Sequence, residues 1–139
     1  MVNRKVNTSM DGVLLTDELY AYRCRGGVCV ELLEANMMAQ AIVDRCSKAV
    51  EDLVDQHKAT DIVLDLQHVQ WMCSLMLGKL VALAKQVRSN DGRLLLAGLS
   101  SQLEGVIKVT GLTEMLPMFA DVNAALGGAA APVALDRPR

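Results

Sequence analysis

Two short, nearly unbroken apolar runs bracket a segment of helical period, and this arrangement limits the fold more than any other feature of the chain. Ile62-Val63-Leu64-Asp65-Leu66 carries apolar side chains on both sides of the backbone, as a strand covered on both faces requires. From Leu75 to Arg88, residues Leu77, Leu80, Val81, Ala84 and Val87 fall on one helical stripe, with Lys79, Lys85, Gln86 and Arg88 opposite. Asn90-Asp91-Gly92 breaks that helix, and Arg93 to Ala97 is a second buried-type strand. Residues 62–97 are therefore a βαβ unit, whose strands are predicted to be parallel and joined by a right-handed crossover.

The flanking sequence extends this unit. Tyr20 to Cys24 and Val28 to Leu33 predict an opening hairpin around Arg25-Gly26-Gly27. From about Met38 to His57, residues Ile42, Val43, Cys46, Ala49, Val50, Leu53 and Val54 share one face of an amphipathic helix, while Asp44, Lys48, Glu51, Asp52 and Asp55 form its wet face. Ser101-Gln102-Leu103-Glu104 reads as a capping box that opens a third helix, and Gly111 is placed to end it. Met118-Phe119 predicts a last short strand, and Asp121 a cap over a final turn through Leu126. The expected fold class is α/β, a mixed sheet of about five strands packed with about four helices. Residues 1–18 are expected to be an N-terminal tail, 19–126 the folded domain, and 127–139 a flexible C-terminal tail.

Composition narrows the function. At 139 residues, 52% hydrophobic and 22% charged, the chain has material for one core and lacks the profile of disorder. A net charge of -2, with one Trp, two Tyr and one Phe, supplies neither the basic footprint nor the stacking platform of a nucleic-acid binder. No apolar run approaches the roughly 18 residues of a membrane span, and MVNRKVNTSMDG at the start has no signal-peptide core, so the expected location is the cytoplasm. There Cys24, Cys29, Cys46 and Cys73 are expected as reduced, mostly buried thiols. A Gly26-Gly27 turn would nevertheless set Cys24 and Cys29 across from each other. His57 and His68 stand alone, outside any ligand-spaced cluster, and nucleotide-binding and hydrolase motifs are absent, so no metal, cofactor or catalytic residue is expected.

The informative stretch is Trp71-Met72-Cys73-Ser74-Leu75-Met76-Leu77-Gly78, where a buried strand gives way to a helix. Ser74 falls where an N-cap is wanted, its hydroxyl accepting from the backbone N–H of Met76 or Leu77, a contact worth about 1 kcal/mol. The same geometry suits a phosphate, because a helix N-terminus offers free N–H groups and the positive end of a dipole. Phosphorylating Ser74 would turn an apolar surface centred on Leu75 and Met76 anionic without refolding the domain.

This turn, with Ile62 to Leu66 before it and Gly92 to Ala97 and Val109-Thr110-Gly111-Leu112 after it, resembles the STAS domain family of bacterial anti-sigma-factor antagonists, over roughly residues 19 to 126. The resemblance implies that Ser74 matches the serine phosphorylated by a partner kinase that is also the anti-sigma factor, in a family turn reading Asp-Ser-Ser-Gly-Leu-Gly. Here Cys73 replaces the Asp, Leu75 the second Ser and Met76 the first Gly of that turn, so the motif is eroded. By resemblance the expected partner is a GHKL-type anti-sigma factor/serine kinase, bound through Asn36, Cys73, Ser74, Leu75 and Met76, with self-association of STAS modules as a further contact. Control of transcription would then be indirect. The alternative is a non-phosphorylated STAS scaffold or an interaction module of a sensory assembly. A third reading, an enzyme with Ser74 or Cys73 as nucleophile and a histidine as base, ranks last because it needs that base and an orienting acid within reach.

Overall fold

The computed structural model describes residues 12–24 and 26–127. Residues 1–11 of the expected N-terminal tail, Arg25 of the expected turn, and all of the expected C-terminal tail except Gly127 lie outside the described residues. Six strands form the main sheet: β1 (Gly12–Thr16), β2 (Leu19–Cys24), β3 (Gly27–Leu32), β5 (Asp61–Asp65), β7 (Leu94–Ala97) and β8 (Met118–Phe119), in the order β1-β2-β3-β5-β7-β8. The first three are antiparallel, and pairing is parallel from β3 onward. Two further strands, β4 (Asn36–Met37) and β6 (Trp71–Met72), pair with each other in a separate parallel ladder. The helices are α1 (Gln40–Gln56), α2 (Ser74–Ser89), α3 (Ser101–Val109) and α4 (Val122–Ala125). The α/β class, the mixed sheet and the four helices agree with the expectation from sequence.

Alternation along the strands divides the interior in two. Val28, Val30, Leu32, Ile62, Leu64, Leu94 and Leu96 point to one face, where they pack against Val43, Cys46 and Val50 of α1, Met76, Leu80 and Leu83 of α2, and Leu103 and Ile107 of α3. Cys29, Val63, Leu95 and Ala97 point the other way and meet Ala125 of α4 in a much smaller cluster. The three longer helices therefore share one face, and burial of their stripes holds them there.

The structure corrects several local expectations. Gly12 to Thr16 is not tail but the edge strand β1, joined to β2 with a register shift between Leu14 and Thr16. Its outward side leaves Val13 exposed, so it never shows the clean alternation that marks a half-buried strand. The hairpin turn falls one residue early: Gly26 has φ +91°, and Gly27 already belongs to β3, opposite Cys24. Cys29 therefore pairs with Tyr22, and Cys24 and Cys29 are diagonal neighbours on one face, with no side chain on Gly27 between them. They form a disulfide, with a Cα–Cα distance of 6.5 Å, so the expectation of four reduced thiols fails for this pair. Cys46 and Cys73 are free. In α3 the cap is Ser100, whose Oγ accepts from Leu103 N at 3.2 Å, rather than Ser101. Gly111, at φ +75°, ends that helix as predicted.

Candidate functional site

The site is built where β5 hands over to α2. Asp65, buried at the end of β5, accepts from the backbone N and the side-chain Nε2 of Gln67 at 3.1 and 2.9 Å, which shapes the exit from the sheet. The chain then runs beside the segment leading into α1. Gln70 N and Trp71 N both donate to Ala35 O, at 2.7 and 3.1 Å, and Cys73 N donates to Met37 O at 3.3 Å. The β4–β6 ladder sets Asn36 against Trp71 and Met37 against Met72. Asn36, 38 positions before Ser74 in the chain, is thereby fixed on the same rim. Its Oδ1 accepts from Met38 N at 3.0 Å, which holds the loop in a tight turn.

Cys73, not Ser74, is the N-cap residue of α2: its backbone is extended, its carbonyl accepts from Leu77 N at 3.2 Å, and its side chain makes no capping bond. Ser74 is the first helical residue and is exposed. This corrects the sequence reading of Ser74 as the cap. At the first helical position a hydroxyl no longer holds the place from which an N-cap side chain accepts from N–H groups two and three residues on. The first turn of α2 contains no acidic residue, so its free N–H groups and positive dipole end are left without a carboxylate partner in that turn.

The helix phase separates the expected contact residues. Asn36 and Ser74 are exposed, Leu75 is 37% exposed, and Cys73 is half-buried. Met76 is buried at 3% and packs in the main core, so it is no part of a contact surface. Its place was readable: Met76 lies four residues before Leu80 and repeats the inward stripe of Leu80, Leu83, Ala84 and Val87. Two residues not singled out take its place. Trp71 and Met38, each 50% exposed, stand on the β4–β6 ladder and just beyond it, and with Leu75 they are the exposed large apolar residues, here termed the ledge, of the segments that meet at the start of α2. Trp71 is the only tryptophan in the chain, which hinted at its role, while nothing in the sequence marks Met38.

The other titratable groups belong elsewhere. His57 closes α1 and His68 sits 2.9 Å from Glu31. Burial pushes the Cys46 thiol up to about 11, with the Glu18 carboxylate adding to it. Glu18 is itself held below the usual carboxylate range, chiefly by its hydrogen bond with Arg45 at 2.6 Å. Among the described residues no group of three His, Cys, Asp or Glu side chains is placed to hold a metal, and no helix is long and apolar enough to cross a membrane.

A mixed sheet with its long helices on one face, and a serine exposed at the start of the second of them, place the candidate site of this α/β domain at the β5–α2 junction. The STAS domain model matches residues 23–125, and the chain belongs to that family. Among solved structures it is similar to an anti-sigma-factor antagonist (STAS) domain protein from Planctomyces limnophilus, with TM-score 0.68 and 16% identity over 78% of this chain and 94% of that one. It is also similar to the unphosphorylated form of the anti-sigma factor antagonist SpoIIAA, with TM-score 0.64 and 18% identity over 77% and 91% of the two chains. The murine Solute Carrier 26 family member A9 anion transporter contains a similar unit: TM-score 0.62 and 14% identity over 83% of this chain and 21% of that one. At such identities the likeness establishes a shared fold.

Proposed function

We propose that this STAS domain is an anti-sigma factor antagonist-like regulator, and that the ledge around Ser74 binds a GHKL-type anti-sigma factor/serine kinase in the cytoplasm. In this reading the unmodified domain occupies the kinase and frees its sigma factor, so transcription is controlled indirectly. The kinase then passes the γ-phosphoryl of ATP to Ser74 Oγ; the hydroxyl proton leaves and ADP is released. The chain supplies only the acceptor, so it acts as substrate and partner, not as an enzyme.

The observation that carries the reading is the exposure of Ser74 at the first position of α2, beside Asn36, Trp71, Met38 and Leu75. A phosphate there carries close to two negative charges and sits on free helical N–H groups, which tolerate it. A partner packed on the adjoining apolar ledge would have to desolvate that charge, and this weakens the complex. The test is incubation with the kinase and ATP, read by mass spectrometry and calorimetry. One phosphate should appear on Ser74, be absent from Ser74→Ala, and abolish binding that Ser74→Ala retains. Absence of both transfer and binding would overturn the proposal.

The second reading, an unphosphorylated STAS scaffold or interaction module of a sensory assembly, is favoured by Cys73 and Leu75, which replace polar residues of the family turn. Stable binding without transfer, or self-association in sedimentation, would select it.

A further inference from the structure

A cleft of about 220 Å³ opens between the start of α2 and α3, which contributes Leu103, Val106 and Ile107 to its lining. Leu66, Leu80 and Leu96, all at 0% exposure, form its floor, and Leu77, Leu103 and Val106 rise as walls. Cys73, Ser74 and Thr110 bring the polar atoms to its rim, and no lining residue carries a charge. Water is a poor occupant of such a space, because an ordered water needs two to four polar partners and these walls supply almost none.

We propose that this cleft is a binding site for a small uncharged molecule with an apolar body of about eight to ten carbons. Size sets the class: benzene fills an engineered apolar cavity of about 150 Å³, and this one is about half as large again. The rim sets the orientation. A single hydroxyl on the ligand can accept from the exposed Ser74 hydroxyl and donate to the Thr110 oxygen, whose own proton is already donated to Val106 O at 2.8 Å, leaving it to accept. The position at the carboxyl ends of two parallel strands, β5 and β7, is where open α/β sheets leave room for ligands. Because Cys73 and Ser74 belong to both the cleft and the surface ledge, an occupant would bias whatever binds there.

The test is a titration of the protein alone with 1-octanol and with 1-naphthol, followed by backbone amide shifts in heteronuclear NMR. Saturable shifts are expected at Leu77, Leu103 and Val106, with none from glucose, a polar solute of comparable size. Val106→Phe, reaching into the cleft from a position 44% exposed, should weaken binding at least tenfold, as should Thr110→Phe from the rim. Val109→Phe, on the same helix at 87% exposure, should leave it unchanged. No saturation with either probe, saturation with glucose, or equal effects of Val106→Phe and Val109→Phe would overturn the proposal. Neither kinase nor ATP enters the measurement, so its failure is distinct from failure of the phosphorylation reading.

Discussion

Leu75 and Met76 are adjacent in sequence, yet the helix phase gives them opposite fates, and truncating each in turn tests the placement of the site. Met76 is 3% exposed and meets the main core, so Met76→Ala removes a full buried side chain and leaves a void. Such changes cost about 2–5 kcal/mol, and in a domain of this length about 3 kcal/mol lowers Tm by about 10 °C. Leu75 keeps 37% of its surface in water, and its truncation should cost about 1 kcal/mol or less. Alanine suits a helix, so the backbone adds little in either case. Urea unfolding gives both values, and partner affinity should respond in the opposite order, Leu75→Ala losing binding with stability nearly intact. Equal stability of the two variants, or a Met76→Ala variant within 1 kcal/mol of the parent, would refute the assigned phase of α2.

Further outcomes follow from the titratable and sulfur groups. The Cys24–Cys29 bridge closes a loop with sequence separation 5, which chain entropy converts to about 2 kcal/mol; reduction or Cys24→Ser should lose that amount in urea unfolding, and four titratable thiols in the denatured, unreduced protein would refute the bridge. Alkylation of the native protein at pH 8 should label half-buried Cys73 well before Cys46, whose thiol is buried and pushed up to about 11. Glu18 has a lowered folded-state pKa, so its stabilisation is present above the ordinary glutamate pKa and is lost as pH falls through the folded value; unfolding from pH 6 to 3 should show a shallower slope in Glu18→Gln.

What the sequence disclosed follows physical lines. Ile62 to Leu66 and Leu94 to Ala97 were legible because strands buried on both faces need continuous apolar runs, and α1 was legible because its stripe keeps period over 17 residues. Gly12 to Thr16 was not, since an edge strand with one wet side needs neither pattern. The β4–β6 ladder was invisible for a different reason: its pairing of Asn36 with Trp71 is a tertiary event between segments with no local propensity to announce it. Ser74 was located by the strand-to-helix transition, but the transition fixes the cap only to within a residue. The difference between Cys73 and Ser74 at that cap decides whether the hydroxyl stands at the capping position of its own helix. Met76 was misplaced although its spacing from Leu80 contained the answer. The juxtaposition of Cys24 and Cys29 was legible from the turn, and the one-residue shift makes them diagonal rather than directly opposite.

The backbone bonds that tie Ala35 and Met37 to Gln70, Trp71 and Cys73 also have a kinetic side. They make two loops, far apart in the chain, into one stiff platform before any partner arrives. The entropy of arranging that platform is spent during folding, so association loses less freedom at the moment of contact. Docking should therefore proceed nearly as a rigid-body encounter, with a small backbone displacement and an association rate governed by orientation rather than by loop rearrangement.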